Sequence, residues 1–314
     1  MPWLSIPFSD LGTRKRLKEF FKVRGIPNLV IIDANGKVSI DYGTKIVRDY
    51  GANGYPFTAE RFAELVEIEK AEEKAQTLES ILISGDRNFV IGKDGTEVRH
   101  RFPAFIPVAD LVGKNILLYF SAHWCPPCRS FLPTLVEAYH EIKAKDDAFE
   151  VIFISSDRDQ DSFDEFFATM PWLALPFGDS RKAFLSRKFK VQGIPMLVAI
   201  GPTGQTVTRE ARNHIVAHGA KAYPFTEEHL KELQAESEEM AKGWPEKLKS
   251  ALHEKHELVL SKRTVFVCDG CRQPGAVWSF YCKECDFDLH PKCAFEGDKK
   301  TENDGKQEGE ESKE

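Results

Sequence analysis

Apolar runs and amphipathic stretches alternate along much of this chain, and the alternation predicts strands and helices in turn. One helical stripe, with apolar residues three and four positions apart, joins Phe131, Leu135, Tyr139 and Ile142. Continuous apolar runs indicate strands that are covered on both faces. The predicted strands are 116–121, 149–154, 196–200 and 205–208, and the predicted helices are 126–144, 159–169, 181–190 and 226–242. This order of elements predicts an α/β fold.

Segments from the start of the chain recur later in it. MPWLSIPFSD at 1–10 returns as MPWLALPFGD at 170–179, FFKVRGIPNLV at 20–30 as KFKVQGIPMLV at 188–198, and GYPFT at 54–58 as AYPFT at 222–226. We therefore predict a truncated repeat without a CxxC at 1–75 and a complete copy at 78–240. We expect the chain to be a piece of a longer protein with another CxxC domain upstream, and an evolved half domain is the alternative.

Composition and charge narrow the class of protein. The chain has 314 residues, 42% of them hydrophobic, and a formal net charge of -6. This charge gives no reason to expect a nucleic acid or a membrane as partner. The first residues lack the apolar core of a signal peptide, and no stretch is long enough to span a membrane. We therefore expect a cytoplasmic or nuclear protein, where thiols stay reduced. Residues 296–314 are predicted to form a disordered acidic tail.

The string FSAHWCPPCRSF places Cys125 and Cys128 where a predicted strand meets a predicted helix. The free N–H groups and the dipole of a helix N-terminus favour a thiolate at Cys125. Pro126 and Pro127 fit the first turn, where an N–H group needs no partner within the helix. Such a thiolate attacks a substrate disulfide, and Cys128 then releases the reduced product. Half of a zinc site is the alternative, but the two prolines and the preceding Trp124 favour redox chemistry.

These residues resemble the thioredoxin superfamily, and specifically the plant nucleoredoxins of its tryparedoxin/nucleoredoxin branch. The motifs that carry the resemblance are WCPPCR at 124–129, VIFISSDRD at 151–159, GIP at 193–195 and YPFT at 223–226. The resemblance implies a thioredoxin-like fold and a cis Ile194–Pro195 bond beside the cysteine pair. It also implies substrate contacts at Trp124, Ile194 and Pro195, and electrons from NADPH through a thioredoxin reductase.

One position departs from the family pattern. Thioredoxin has a buried Asp six residues before its first active-site Cys, and this chain has Tyr119 there. That acid is a proposed proton acceptor for the resolving thiol, so the proton route from Cys128 is left open. His123 is interpreted either as a group that tunes the thiolate or as an inert surface imidazole. Arg129 is interpreted either as a source of positive field or as a solvated helix charge.

A second cysteine cluster follows near the end of the chain. Two Cys-x2-Cys pairs and a His-x2-Cys pair supply enough ligands for more than one tetrahedral zinc. The string FYCKECDFDLHPKC resembles the divergent plant-type version of the diacylglycerol-binding zinc finger, whose two metal sites interleave. The resemblance implies a first site of Cys268, Cys271, His290 and Cys293, and a second site that includes His256, Cys282 and Cys285.

The final cysteine of the family's second site is missing here, and His253 is the candidate replacement. We predict a finger module at 244–295 with a leading helix, on which His253 and His256 share a face. A disulfide framework is the alternative to zinc. The stretch between Cys271 and Cys282 lacks an apolar loop that could enter a membrane, so diacylglycerol binding is not expected.

The sequence as a whole predicts an α/β protein with one complete and one truncated thioredoxin-like copy and a small zinc finger. We expect a protein-disulfide reductase, with Cys125 as the nucleophile and Cys128 as the resolving thiol. The alternative is a redox-sensing scaffold protein in which the finger and the repeats hold a partner. A disulfide isomerase or oxidant is a third hypothesis, and it requires an oxidising compartment.

Overall fold

The computed structural model describes residues 3–92 and 104–295, so the predicted tail at 296–314 lies outside the described residues. The chain divides into two compact units between Ala75 and Gln76. Within the described ranges, no helix combines the length and the apolar character that crossing a membrane requires.

The first unit contains helices and one small antiparallel hairpin. Its elements are α1 (Leu11–Phe20), β1 (Ile31–Ile32), β2 (Val38–Ile40), α2 (Gly43–Tyr50), a 3-10 turn (Gly51–Gly54) and α3 (Ala59–Lys74). Asp10 caps α1 by accepting a hydrogen bond from the Thr13 N–H, and Thr58 caps α3 in the same way from Arg61.

A seven-stranded mixed sheet forms the centre of the second unit. Its strands are β3 (Phe89–Gly92), β4 (Ala104–Pro107), β5 (Asn115–Ser121), β6 (Phe149–Ser155), β7 (Leu173–Ala174), β8 (Met196–Ile200) and β9 (Thr206–Thr208). They lie in the order β4-β3-β7-β6-β5-β8-β9. The strands β5, β6 and β7 are parallel, and β8 is antiparallel to β5. This is the mixed α/β sheet that the alternating pattern predicts.

Helices cover both faces of this sheet. They are α4 (Leu78–Leu82), α5 (Pro126–Lys143), α6 (Gln160–Ala168), α7 (Arg181–Lys188), α8 (Ala211–His218) and α9 (Glu227–Ala241), with 3-10 turns at Val108–Leu111 and Gly219–Ala222. Residues of α5, α6 and α8 share one core, and residues of α4 and α7 share the other. The predicted stripe on α5 is confirmed, because all four of its residues are buried in the first core.

Strand β5 supplies side chains to both cores in alternation. Leu117 and Tyr119 point into the core under α5, and Ile116, Leu118 and Phe120 point into the opposite core. All five residues are at most 1% exposed. Burial of an apolar side chain of this size stabilises the fold by about 1.5–3 kcal/mol. The strand is thereby held from both sides, which fixes the position of the dithiol at its end.

The first unit repeats the local backbone of the second. The bonds before Pro27 and Pro56 are cis, as are those before their counterparts Pro195 and Pro224. The burial differs, however. Trp3 is 67% exposed, whereas its counterpart Trp172 is 1% exposed. The described part of the first unit contains no counterpart of β5 or α5, and these elements cover the equivalent residues in the complete copy.

The cysteine-rich module is a four-stranded antiparallel sheet with its own small core. Its strands are β10 (Lys247–Ser250), β11 (His253–Val267), β12 (Pro274–Cys282) and β13 (Phe287–Leu289), paired in that order. That core contains the buried residues Leu258, Phe266, Phe280 and Leu289. Strands β11 and β12 contact α8, and the Lys262 ammonium donates to the Glu238 carboxylate at 2.7 Å.

The prediction of a leading helix that carries His253 and His256 is wrong, because both residues lie in β11. Leu258 pairs with Leu248 of β10, and Leu260 pairs with Phe280 of β12. Strands β10 and β12 thus supply β11 with the backbone hydrogen bonds that a helix would make within itself. The two histidines therefore approach each other at the start of a strand.

Candidate functional site: a dithiol and two Cys/His clusters

The dithiol lies at the carboxyl end of β5, where the chain turns into α5. Cys125 is the N-cap residue of α5, and Pro126 and Pro127 occupy the first helical turn. Cys125 is 4% exposed and Cys128 is fully buried. A substrate therefore reaches Cys125 first, and Cys128 lies behind it.

The loop before β8 faces the dithiol. The thiol of Cys125 lies 3.7 Å from the carbonyl oxygen of Ile194, to which it donates. Met196 pairs with Phe120 of β5, so the sheet itself holds this loop beside the end of the strand. The Ile194–Pro195 bond is cis, which confirms the expectation from the family resemblance.

Trp124 directly precedes Cys125 in the chain, and its side chain is anchored on the segment that follows β6. Its indole N–H donates to the Ser156 carbonyl at 2.9 Å, and the guanidinium of Arg158 lies 5.3 Å from the ring centroid. The residue is 49% exposed. Ile194 and the cis Pro195 thus lie beside Cys125, and Trp124 precedes it in the chain. Their contacts with a substrate stay a prediction.

The side chains of His123 and Arg129 hold the loop that leads into the helix. The His123 ring stacks on Phe166, with the ring centroids 5.5 Å apart, and its Nδ1 lies 3.8 Å from the Glu165 carboxylate. Arg129 Nη1 donates to the backbone oxygen of His123 at 2.5 Å. These contacts direct the imidazole toward α6. The Arg129 side chain, in addition to carrying a positive charge, holds the backbone at His123 in place.

Cys128 is fully buried and lies next to Tyr119. The Tyr119 hydroxyl accepts a hydrogen bond from Ser121 Oγ at 2.8 Å, and burial raises the pKa of this phenol. Burial also raises the pKa of Cys128 to about 12; its hydrogen bond with Cys125 acts in the same direction, and one with Ser121 lowers the pKa. Cys128 is therefore a protonated thiol near neutral pH, and Tyr119 is a neutral phenol that cannot replace the acid of thioredoxin as a base.

Two positioning residues of this site were not predicted from the sequence. Asp157 accepts hydrogen bonds from the backbone N–H of His123 and from the Ser155 hydroxyl, both at 2.7 Å, and so fixes the loop that carries Trp124. Ser121 is buried at the end of β5. A hydroxyl inside an otherwise apolar run was the available signal for Ser121, because a buried polar group requires a partner.

The first Cys/His cluster joins Cys268, Cys271, His290 and Cys293, whose ligand atoms all lie within 4.8 Å of one another. His290 Nδ1 is 3.3 Å from Cys271 Sγ and 3.8 Å from Cys293 Sγ. Tetrahedral zinc with ordinary bond lengths places such a nitrogen and sulfur about 3.6 Å apart. These residues therefore fit a zinc ion.

The second cluster joins His253, His256, Cys282 and Cys285 within the same limit. His256 Nδ1 is 3.6 Å from Cys282 Sγ and 3.3 Å from Cys285 Sγ. His253 Nε2 is buried with no hydrogen-bond partner among the described residues, as expected for a nitrogen that faces a metal ion. The structure thus brings His253 to the place of the missing fourth ligand, although on a strand and not on a helix.

Polar groups behind each cluster orient the imidazole rings. His290 Nε2 lies 3.2 Å from the Pro274 carbonyl oxygen, and His256 Nε2 lies 3.0 Å from the Glu284 carboxylate. Partners of this kind fix the ring so that Nδ1 faces the metal. The contact of His290 also leaves no room at Gly275, where an added Cβ would lie 2.5 Å from Nε2.

The fold and the dithiol together define a thioredoxin-like domain with a CxxC dithiol. Residues 113–206 match the thioredoxin-like family, and residues 251–294 match the C1 domain family. The chain belongs to the nucleoredoxin family. It is 40% identical to probable nucleoredoxin 3 of Arabidopsis thaliana over 94% of this chain and 73% of that protein.

Two further similarities were found. It is 58% identical to probable nucleoredoxin 1 of Arabidopsis thaliana over 96% of this chain, and it spans about half, 51%, of that protein's length. The solved structure of tryparedoxin II from C. fasciculata aligns with 48% of this chain and 97% of its own chain. The aligned residues are 36% identical, and the TM-score is 0.41.

Proposed function

We propose that this protein reduces disulfides in other proteins through the Cys125–Cys128 dithiol. Cys125 forms a bond to one sulfur of the substrate disulfide, and the other sulfur leaves as a thiolate. Cys128 then attacks the Cys125 sulfur, which releases the second substrate thiolate and leaves a disulfide in this chain. The observation that carries the proposal is the position of Cys125 at the helix N-cap, 3.7 Å from the Ile194 carbonyl oxygen.

The surroundings of Cys128 support this order of steps. Cys128 must lose a proton before it can attack, and burial keeps that proton on the sulfur while the site is closed. The first thiolate released from the substrate forms next to Cys125, and it is the base that accepts the Cys128 proton. The Ser121 hydroxyl donates to Tyr119 in the closed site, and it favours the Cys128 thiolate when it donates to that sulfur instead.

The proposal also includes a source of electrons and a location. We expect NADPH to reduce the Cys125–Cys128 disulfide through a thioredoxin reductase, and we expect the protein to act in the cytoplasm or the nucleus. Proteins that carry disulfides are the expected substrates. The nucleoredoxin relatives support these expectations.

The Cys/His module has a structural role in this proposal. Cys268, Cys271, His290 and Cys293 would hold one zinc ion, and His253, His256, Cys282 and Cys285 would hold another. Bound zinc supplies folding free energy to a module whose own core is small. The module has a hydrophobic core of its own, and its strands β11 and β12 also contact α8.

Repeated turnover tests the proposal against the redox-sensor alternative. The experiment follows insulin reduction with the purified protein, using NADPH and a thioredoxin reductase or dithiothreitol as reductant. A reductase cleaves many equivalents of insulin per chain and stops when the reductant is withheld. A sensor is oxidised once, and no more than about one equivalent of disulfide then disappears per chain.

A further inference from the structure

The indole ring of Trp124 is held at two points by the segment that follows β6. At its edge, the indole N–H donates to the Ser156 carbonyl oxygen at 2.9 Å. Over its face lies the guanidinium of Arg158, 5.3 Å from the ring centroid, which is the geometry of a cation–π contact. The hydrogen bond fixes one edge of the ring and the guanidinium fixes its tilt, so the two contacts together select one orientation of the indole.

The backbone on both sides of Arg158 is itself fixed. Asp157 accepts a hydrogen bond from the backbone N–H of His123 at 2.7 Å, which ties this segment to the loop before the dithiol. Asp159 is the N-cap residue of α6 and accepts a backbone hydrogen bond there. The exposed side chain of Arg158 therefore starts from an anchored backbone and lies over the Trp124 ring.

The ring that Arg158 covers is one residue away from the reactive sulfur in the chain. Neighbouring Cα atoms lie about 3.8 Å apart, so a protein that reaches Cys125 comes close to Trp124. The Trp124 residue is 49% exposed, which leaves aromatic surface available to such a protein. An indole that is already held in one orientation loses less conformational freedom when a partner packs on it.

We propose that Arg158 is a positioning residue, which holds the Trp124 indole in the orientation in which a protein substrate packs on it. The proposal rests on the proposed reductase function and adds to it a residue that acts through Trp124. Loss of a cation–π contact at an exposed site is expected to raise the KM for a protein disulfide about threefold and to leave kcat unchanged. Arg158→Lys is expected to restore KM only in part, because an ammonium lacks the planar stacking surface of a guanidinium.

A double-mutant cycle on the full chain tests the proposal. Insulin reduction with dithiothreitol is measured for the wild type, Arg158→Ala, Trp124→Ala and the double variant. Arg158→Ala should raise KM about threefold when Trp124 is present and should have no further effect in Trp124→Ala, because the ring through which it acts is gone. An equal rise in both backgrounds overturns the proposal. If Trp124→Ala does not fold, Trp124→Leu takes its place in the cycle.

Arg187→Ala is the matched control, because Arg187 is an exposed arginine of α7, and it should keep the wild-type KM. The pH profile of Cys125 alkylation by iodoacetamide, at about 0.15 M salt, separates positioning from an effect of charge on the thiol. Arg158→Ala should keep the wild-type profile. A shifted profile, or an unchanged KM in Arg158→Ala, overturns the positioning proposal alone. Failure of the wild type to reduce insulin overturns the reductase function itself.

Discussion

The Cys125 thiol and the Ile194 carbonyl oxygen lie 3.7 Å apart, although 69 residues separate them in the chain. The antiparallel pairing of β8 with β5 creates this proximity, since it ends beside the first turn of α5. The Cys125 sulfur and the Ile194 carbonyl oxygen thus both lie next to strands in the centre of the sheet. The loop that carries Ile194 is therefore held in place by the strand that follows it.

Ser121→Ala is expected to slow the second step of the exchange about fivefold. The substitution removes a hydrogen bond that favours the Cys128 thiolate and that is worth about 1 kcal/mol. The measurement is the release of thionitrobenzoate from a mixed disulfide with Cys125, followed by its absorbance in a stopped-flow instrument.

Ser130→Ala is the matched control for that experiment. Ser130 is an exposed hydroxyl of α5 that donates to the Pro126 carbonyl at 3.2 Å. It should leave the release rate unchanged. An unchanged rate in Ser121→Ala as well would show that Ser121 does not assist Cys128.

The reduced protein is expected to lose stability in alkali through Cys128. Burial raises the pKa of this thiol from 9.0 to about 12, so the folded state keeps a proton that the unfolded chain releases above pH 9. The free energy of unfolding therefore falls as pH rises from about 9 to about 12, by at most about 1.4 kcal/mol per pH unit. Below pH 9 this contribution is fully present.

Urea unfolding of the reduced wild type and of Cys128→Ser measures this effect. Between about pH 8 and about pH 10, the wild type should lose about 1 kcal/mol more than the variant, because the variant has no thiol to ionise. Tyrosines and lysines titrate in both proteins, so their contributions cancel in the comparison. Equal losses would mean that Cys128 is not held as a thiol by burial.

The sequence predicted the elements that hold the dithiol, because their patterns are long and regular. The stripe on α5 and the apolar runs of β5 and β6 bury the residues that periodicity selects. Helix α8 was not predicted: Ala211–His218 mixes apolar, charged and histidine residues in little more than two turns, and its burial comes from tertiary contacts with α5 and β8.

The second Cys/His cluster shows where sequence reasoning about local structure fails. The spacing of His253 and His256 fits a helix face, and only the pairing of β11 with β10 and β12 shows that both residues lie in a strand. The grouping of the ligands was nevertheless foreseen, because family resemblance supplied the partners. Ser121 and Asp157 were missed because their importance depends on groups that lie elsewhere in the fold.

Metal content is expected to distinguish the two clusters. The wild type should hold about two zinc ions per chain by elemental analysis. Cys268→Ser should lose the ion of the first cluster, and His253→Ala should release only the ion of the second, which is bound more weakly. Strong chelation should unfold the finger and spare the sheet domain, because the two have separate cores.

His140→Ala serves as the control for the metal measurements, because His140 is an exposed residue of α5 outside both clusters. Its zinc content should equal that of the wild type. A metal-free wild type with a folded finger would contradict the zinc assignment and favour a disulfide framework. Two ions retained in His253→Ala would keep zinc but remove His253 from the ligands.

The roles of the two active-site thiols are tested most directly by trapping. Wild type, Cys125→Ser and Cys128→Ser are each incubated with oxidised insulin, and covalent adducts are identified by mass spectrometry without reductant. Cys128→Ser should accumulate a mixed disulfide through Cys125, because no second thiol resolves it. Cys125→Ser should form none at this site and should lose turnover. Substantial turnover by Cys125→Ser, or adducts through Cys128, would contradict the account.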